Sequence, residues 1–277
     1  MASPRAGASP ARWRAAVLGK PIGHSLSPVL HNAGYAAAGL TDWSYTAIEC
    51  AEVELASLVA RLDPEWAGLS LTMPLKEVAL RVADEVDPVA AALGAANTLV
   101  RRDSGWYATN TDAPGMVDAL GTVGLSTVER VAVLGAGGTA RAALAAARSL
   151  GATEVTLFAR RPAARDELRP VAEHLGLPLA YRDFGEAAAC AGADLVISTV
   201  PSGAAGRLAV PWRPGTVLFD ALYHPWPTPL ATSAAAAGCR IVSGLDLLLA
   251  QAVHQFVLFT GVQAPVAAMR EALFASG

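Results

Sequence analysis

The residue whose type and position are most suited to chemistry is Lys76, within the segment LSLTMPLK of residues 69–76. Lys20 is the only other lysine among the 277 residues, so the chain uses arginine almost everywhere for a fixed positive charge. A lysine can release and take up a proton, whereas a guanidinium group stays charged at any ordinary pH. We therefore interpret Lys76 as a candidate proton carrier, and together with the glycine turn described next it indicates an oxidoreductase with a lysine near the reacting hydroxyl.

A second chemical signal is the glycine turn VAVLGAGGTAR of residues 131–141, which follows a buried-strand pattern and opens an alanine-rich helical pattern. Gly135 permits a tight turn, Gly137 lets a pyrophosphate approach the backbone, and Ala140 is small enough for helix–strand packing. An ordinary strand–helix turn is the alternative, but this context favours a dinucleotide at the helix N-terminus. The predicted contacts are Gly135, Ala136, Gly137, Gly138, Thr139 and Ala140.

The end of the next strand indicates which dinucleotide is bound. NAD sites usually place an acidic residue there, about 20 residues after the turn, to hold the ribose 2′-hydroxyl. This chain instead has Arg160 and Arg161 after Ala159, with Arg165 shortly after. Guanidinium groups suit a 2′-phosphate through charge-assisted hydrogen bonds, so these arginines predict NADP(H) rather than NAD. The alternative is that they lie on a solvated loop.

Composition excludes several other classes of protein. Apolar residues make up 53% and charged residues 16% of the chain, which is far from disorder. A net charge of −3 predicts no nucleic-acid partner, since a phosphate-backbone binder needs a basic face. The cysteines form no CxxC pair, and His24 and His31 lack acidic or cysteine neighbours, so no metal is expected. The apolar stretches are too short for a membrane span or signal peptide, which predicts a cytoplasmic enzyme without a membrane partner.

Alternating strand and helix patterns would position these residues, and they predict an α/β fold. In the first part of the chain, apolar runs that read as strands of a mostly parallel sheet lie at residues 15–18, 43–48, 67–71 and 98–100. From Val128 the pattern restarts, with strands predicted at 130–134, 154–158, 179–182, 194–199, 216–219 and 240–242. We therefore predict two domains with a cleft between them. The first spans residues 12–112, and the second, a Rossmann domain, spans residues 113–244.

Three further predictions concern helix ends near the chemical residues. Ser27 and Pro28 suit the start of a helix, with serine as N-cap and proline in the first turn. The apolar spacing after Pro74 predicts a helix with Lys76 in its first turn, where the helix dipole disfavours a structural cation. Asp112 suits the N-cap of a following helix, and this interpretation leaves a second role for its carboxylate open.

The chain resembles the shikimate dehydrogenase family over nearly its whole length. The matching segments, in order, are GKPIGHSLSP (19–28), LTMPLK (71–76), GAANTL (94–99), NTD (110–112), GAGGTAR (135–141), DALYHPWPTPL (220–230) and GLDLLLAQA (244–252). The resemblance implies reversible reduction of 3-dehydroshikimate to shikimate by NADPH, a step of aromatic amino acid biosynthesis. It also implies that C-terminal helices within 245–277 complete the first, substrate-binding domain. We expect a monomer or homodimer.

The family's functional residues can be placed on matching positions of this chain. The matches of Lys76 and Asp112 form the family's catalytic pair. The resemblance implies substrate-carboxylate contacts for Ser25, Ser27 and Tyr223, and ring-hydroxyl contacts for Thr72, Asn97 and Gln251. Further cofactor contacts are assigned by the same resemblance to Thr199, Gly244 and Leu247.

Ser70 is the main departure from the family, whose members commonly carry asparagine there. A serine is shorter, so we predict that its contact with a ring hydroxyl is weaker or bridged by water. The intact Ser25 and Ser27 favour shikimate over quinate. The nearest alternative is a quinate dehydrogenase or a paralogue that accepts both quinate and shikimate. A paralogue acting on an amino-substituted shikimate, an unrelated Rossmann enzyme and a non-catalytic metabolite sensor are the others. Retention of both Lys76 and Asp112 argues against the sensor.

Overall fold

The computed structural model describes residues 12–206 and 208–275 and places two six-stranded sheets there. The strands of the first sheet are β1 (Trp13–Gly19), β2 (Trp43–Glu49), β3 (Trp66–Leu71), β4 (Glu85–Val86), β5 (Thr98–Arg102) and β6 (Gly105–Thr109). Their order is β2-β1-β3-β5-β6-β4. β1 is parallel to β2 and β3, whereas β5 is antiparallel to both β3 and β6. The sheet is therefore mixed, and β6 completes a hairpin that the sequence patterns had not indicated.

The second sheet is parallel throughout. Its strands are β7 (Arg130–Leu134), β8 (Glu154–Ala159), β9 (Leu179–Asp183), β10 (Leu195–Ser198), β11 (Val217–Asp220) and β12 (Arg240–Ser243). The order β12-β11-β10-β7-β8-β9 is that of a Rossmann sheet, whose ligand binds where the strand order reverses, here between β7 and β10. The predicted α/β fold with a Rossmann domain is confirmed.

Helices cover both sheets. They are α1 (Ser27–Ala37), α2 (Glu52–Val59), α3 (Ala79–Val82), α4 (Pro88–Leu93), α5 (Asp112–Gly121), α6 (Gly138–Ser149), α7 (Ala163–Leu175), α8 (Ser202–Ala205), α9 (Pro229–Ala236), α10 (Gly244–Thr260) and α11 (Val266–Phe274), with a 3₁₀-helix over Phe184–Gly192. A capping box between Ser243 and Asp246 begins α10, and left-handed Gly261 (φ 70°) follows its end. Across both described ranges, none of these helices is long and apolar enough to span a membrane.

The predicted helix at Lys76 is wrong. Residues 73–78 form turns, and the helix begins only at Ala79. The Lys76 carbonyl instead accepts a hydrogen bond from Ala96 N at 2.8 Å, which ties the segment to a neighbouring loop. No helix dipole therefore acts on Lys76, and its placement has to be explained by its side-chain partners.

The two predicted N-caps are also wrong. Ser27 is the first residue of α1 and makes no side-chain cap, although Pro28 does lie in the first turn. At the start of α5, Asn110 Oδ1 accepts from the backbone nitrogens of Asp112 (3.0 Å) and Ala113 (3.2 Å). Because Asn110 satisfies these donors, the Asp112 carboxylate remains available for Lys76.

The last two helices return to the first sheet. Phe256 of α10 and Met269 and Leu273 of α11 are buried in one cluster with Leu30 and Tyr35 of α1. This packing agrees with the expectation that the C-terminal helices complete the first domain. The boundaries 12–112, 113–244 and 245–277 stay a prediction, and residues 276 and 277 lie outside the described residues.

Candidate active site

A polar pocket of about 290 Å³ lies between the two sheets, at the carboxyl ends of β1 and β3. All the residues predicted to serve in catalysis or substrate binding line it: Ser25, Ser27, Ser70, Thr72, Lys76, Asn97, Asp112, Tyr223 and Gln251. Three of the predicted cofactor residues, Thr139, Gly244 and Leu247, line it as well. The structure thus brings the set together, and the individual roles stay predictions.

Lys76 and Asp112 form a close ion pair at this pocket. Lys76 Nζ lies 2.6 Å from Asp112 Oδ2, with the two side chains 19% and 9% exposed. Asn97 Nδ2 donates to the other carboxylate oxygen, Asp112 Oδ1, at 2.8 Å. Each carboxylate oxygen therefore has its own donor, which fixes the plane of the carboxylate and the direction of the ammonium group.

One short segment contacts both members of this pair, and we call it the 94–97 loop (Gly94–Asn97). Its Ala96 amide donates to the Lys76 carbonyl, and its Asn97 side chain donates to Asp112. The Asn97 amide cannot turn freely, because its Oδ1 accepts from Thr111 N at 2.7 Å. The position of the 94–97 loop thus sets the position of the ion pair.

Three hydroxyl-bearing residues form another part of the pocket wall. Ser25 Oγ accepts from the backbone nitrogen of Ser27 at 3.3 Å, which joins the two serines at the start of α1. Tyr223 follows β11 and is half buried, and this burial raises the pKa of its hydroxyl. Its hydroxyl therefore stays protonated at neutral pH. Three neutral donors of this kind suit a carboxylate ligand.

Ser70 lies on the pocket wall, but its hydroxyl is engaged within the protein. Tyr45 OH donates to Ser70 Oγ at 2.6 Å, and Ser70 Oγ donates to Gln255 Oε1 at 2.6 Å. Gln255 Nε2 in turn donates to Thr98 Oγ1 at 3.0 Å. Gln255 also lines the pocket, although it is not among the site residues predicted from the sequence. Its spacing, one turn after Gln251 on an apolar helix, was the signal that could have found it.

A close crossing of α5 and α10 holds Gln251. Its Nε2 donates to the carbonyl of Leu248 at 2.8 Å, and its side chain is buried. A Cβ added to Gly115 of α5 would lie 2.8 Å from Gln251 N and 3.0 Å from Gln251 Cα. The two helices therefore touch backbone to backbone, three residues after Asp112.

Replacing Gly115 by alanine is expected to destabilise the protein by about 1–3 kcal/mol, because the added methyl group must push α10 away from α5. The KM for substrate should rise as well, since Gln251 moves with α10. Thermal unfolding and initial rates measure both effects. Gly121→Ala is the matched control, because Gly121 lies on the same helix with open space around its Cβ position among the described atoms. Equal losses of stability and equal increases in KM in the two variants would contradict the role of the crossing.

The glycine turn between β7 and α6 has the geometry of a phosphate site. Gly135 has a φ of 101°, and a Cβ there would lie 2.6 Å from Thr199 Oγ1, so only glycine fits. At Gly137 a Cβ would meet no described atom within 4 Å, which leaves its backbone open to a ligand. Ala140 is fully buried against the second sheet and serves packing instead of lining the site. The turn and the N-terminus of α6 can hold a pyrophosphate.

A cavity of about 460 Å³ continues from this turn to the end of β8. The predicted cofactor residues that line it are Gly135, Ala136, Gly137, Arg160, Arg161 and Thr199. Arg161 is already occupied, because its guanidinium makes two hydrogen bonds of 2.8 Å to Glu167 and lowers the pKa of that carboxyl. Arg160 has no ion pair or hydrogen bond from its side chain within the described part of the chain, and Arg165 is exposed and does not line this cavity.

A further cavity of about 430 Å³ lies between the glycine turn and the catalytic segment. Gly137, Gly138 and Thr139 line one side, and Thr72 and Lys76 line the other. A Cβ on Gly138 would lie 3.6 Å from Lys76 Cδ. A dinucleotide bound at the turn can therefore extend toward Lys76. No cluster of three His, Cys, Asp or Glu side chains suited to a metal occurs in residues 12–206 and 208–275.

Comparison with known proteins decides the family. The model of the shikimate dehydrogenase substrate binding domain matches residues 17–99, and that of the shikimate 5′-dehydrogenase C-terminal domain matches residues 244–274. The sequence is 39% identical over 277 residues to the shikimate dehydrogenase (NADP(+)) of Moorella thermoacetica, covering 94% of each chain. The chain belongs to the shikimate dehydrogenase family. Between the two matches, residues 104–210 match the alanine dehydrogenase/PNT C-terminal domain, in agreement with a Rossmann sheet.

Solved structures of the shikimate dehydrogenase family have the same fold. The Mycobacterium tuberculosis shikimate dehydrogenase is 45% identical, with a TM-score of 0.87 over 95% of this chain and 99% of that one. The Thermus thermophilus enzyme, solved in complex with NADP(H) and shikimate, is 30% identical, with a TM-score of 0.82 over 96% of this chain and all of that one. The predicted resemblance is thereby confirmed over nearly the whole chain.

Proposed function

We propose that this chain is a shikimate dehydrogenase that reversibly reduces 3-dehydroshikimate to shikimate with NADPH. The observation that carries the proposal is the 2.6 Å pair of Lys76 and Asp112, placed where the polar pocket meets the glycine turn. An alcohol–ketone interconversion needs a proton carrier beside the reacting oxygen and a hydride carrier beside the reacting carbon. This arrangement provides for both. The names of the relatives, which include shikimate dehydrogenase (NADP(+)), give the same activity.

The residues around the glycine turn fit NADP(H), which supplies or accepts the hydride when bound. The open backbone at Gly137 and the N-terminus of α6 suit its pyrophosphate. The cavity at the end of β8 contains no acidic lining residue and has the free guanidinium of Arg160, which suits a 2′-phosphate. Gly244 and Leu247 line the pocket where the reacting end would lie.

Lys76 is the proposed proton donor in the direction of reduction. Its Nζ donates a proton to the carbonyl oxygen as that oxygen becomes a hydroxyl, and it takes the proton back in the reverse direction. Asp112 Oδ2 balances the charge of the ammonium group and directs it, while Asn97 holds Oδ1. For the substrate itself, we propose that Ser25, Ser27 and Tyr223 bind the carboxylate and that Thr72, Asn97 and Gln251 bind ring hydroxyls.

Arg160→Ala is expected to raise the KM for NADP by about 10- to 100-fold, because the variant loses one charge-assisted contact with the 2′-phosphate. The KM for NAD, which lacks the 2′-phosphate, should change little in the same variant. Arg161→Ala should have a much smaller effect, because Glu167 already binds that guanidinium. Initial rates with each dinucleotide at saturating shikimate give all three comparisons. A larger effect of Arg161→Ala would reverse the assignment.

The proposed function is tested by initial rates of the purified protein with shikimate and quinate, each with NADP and with NAD. Turnover confined to shikimate with NADP is the expected result. A preference for quinate or NAD would indicate a catabolic role. No turnover with any combination of substrate and dinucleotide would refute the proposed dehydrogenase activity. We further propose a monomer or homodimer working in the cytoplasm, which sedimentation and cell fractionation test.

A further inference from the structure

Arg141 belongs to the glycine-turn motif, but none of the roles above uses its side chain. It extends from the first turn of α6 to the neighbouring helix α4 and is 17% exposed. Arg141 Nη1 donates to the carbonyl of Leu93, the last residue of α4, at 3.0 Å. A Cβ added to Gly94 would lie 3.1 Å from the same nitrogen. Arg141 is thus closely fitted to the end of α4.

The surroundings of this hydrogen bond make it strong. A carbonyl at the C-terminus of a helix carries partial negative charge, and a guanidinium group is the charged donor that complements it. The side chain of Leu93 is fully buried in the same cluster as Leu144 of α6. Glu77 is a weaker partner, because its Oε1 lies 3.9 Å from Arg141 Nη2 and its side chain is 68% exposed.

The Leu93 carbonyl leads directly into the 94–97 loop, whose Ala96 and Asn97 bind Lys76 and Asp112. We infer that Arg141 is a positioning residue, which holds this loop and through it the Lys76–Asp112 pair at a fixed distance from the dinucleotide turn. The inference rests on the proposed function for its effect on turnover. It does not make Arg141 a ligand of either substrate.

The first turn of α6 links the cofactor site to the catalytic pair, and this link has a consequence for catalysis. Gly137 and Gly138 line the cavity proposed for the dinucleotide, and Arg141 binds the end of α4 from which the 94–97 loop begins. Hydride donor and proton donor must both lie at the same carbon–oxygen bond, and a misplacement of about 1 Å can cost 10²-fold in rate. Loss of the Arg141 contact should therefore lower kcat and leave binding largely intact.

Arg141→Met removes the donors and keeps most of the packed stem, so it tests the contact with little risk to folding. We expect kcat to fall about 10- to 100-fold. The KM for shikimate and the dissociation constant of NADP, measured by titration without shikimate, should change little. Arg141→Lys, which keeps a donor for the Leu93 carbonyl, should restore part of the lost kcat. Arg148→Met is the matched control, because Arg148 lies on the same helix and has no side-chain partner in the described ranges.

A second measurement does not depend on activity. In the ligand-free protein, hydrogen exchange of the Ala96 amide should be faster in Arg141→Met than in the wild type, because that amide donates to the Lys76 carbonyl. Unchanged kcat or unchanged exchange would overturn the inference. A weakening of NADP binding as large as the loss of kcat/KM would make Arg141 a cofactor ligand instead. An equal loss of kcat in Glu77→Gln would show that the effect arises from the Arg141–Glu77 ion pair and not from the contact with Leu93. Failure of the wild type to oxidise shikimate would refute the proposed function alone.

Discussion

Replacing Lys76 by alanine is expected to lower kcat by about 10²- to 10⁴-fold, the range observed when a positioned proton carrier is removed. The KM for shikimate should change much less, because the substrate keeps its carboxylate and most of its ring-hydroxyl contacts. The physical reason is the pair itself, in which an ammonium group at the pocket is held 2.6 Å from Asp112 Oδ2. Initial rates of shikimate oxidation across a range of substrate concentrations separate the two constants.

Lys20→Ala is the control for this variant. Lys20 is the other lysine of the chain, and it is 53% exposed with Glu49 3.7 Å away. Its replacement should leave kcat unchanged. Asp112→Asn should lower kcat in the same direction as Lys76→Ala, because an amide neither balances nor directs the ammonium group. If Lys76→Ala kept wild-type turnover, the proton would have to come from another group and the proposed mechanism would be wrong.

The protein is expected to lose about 2–3 kcal/mol of stability between pH 6.5 and pH 4.5 because of one buried histidine. His31 of α1 is fully buried and stacks on Tyr45, with ring centroids 4.1 Å apart and planes 3° apart. Neither of its ring nitrogens has a hydrogen-bond partner among the described residues. Burial lowers the pKa of His31 from 6.5 to about 3, and the nearby Gln255 side chain offsets part of this effect.

The direction of the pH effect follows from the lowered pKa. Unfolding allows His31 to bind a proton below pH 6.5, whereas the folded protein resists protonation until about pH 3. The stability contributed by the neutral ring is therefore complete above pH 6.5 and decreases as the pH falls toward 3. Tyr35 and Tyr45, which face the ring, have pKa values raised by burial and do not titrate in this window.

His31→Phe keeps an aromatic ring in the stack and cannot be protonated. Urea titration at several pH values gives the difference in unfolding free energy between this variant and the wild type. Because both proteins have the same carboxylates, this difference reports the protonation of His31 alone. We expect the unfolding free energy of the variant to increase steadily, relative to that of the wild type, as the pH falls below 6.5. His174→Gln on α7 is the control, since His174 is exposed. A difference that does not vary with pH would show that His31 binds its proton equally well in the folded and the unfolded protein, and would contradict the lowered pKa.

The sequence was most informative where a motif and its neighbours form one local structure. The glycine turn, the strand before it and the helix after it lie where they were predicted, because φ at Gly135 and the small size of Ala140 are properties of those positions alone. The segment at Lys76 shows the opposite case. Its apolar spacing is helical, yet the Lys76 carbonyl pairs with Ala96, a partner 20 residues further along the chain, and residues 73–78 form turns.

Long-range partners explain the other differences. Ser70 was predicted to contact substrate, but the sequence could not show that Tyr45 and Gln255 occupy its hydroxyl, since Gln255 lies 185 residues away. Arg160 and Arg161 are adjacent and chemically identical. The pairing of Arg161 with Glu167 depends on how the chain turns between β8 and α7, so only the structure distinguishes the two.

The return of the last helices to the first sheet has a consequence for folding during synthesis. The ribosome makes β1 to β6 first, then the whole Rossmann sheet, and only at the end α10 and α11. Until then the buried faces of Leu30 and Tyr35 lack Phe256, Met269 and Leu273 as neighbours. Leu247 of α10 is also part of the buried core of the second sheet. The cores of both sheets therefore gain their last buried contacts only after the C-terminal helices have been made.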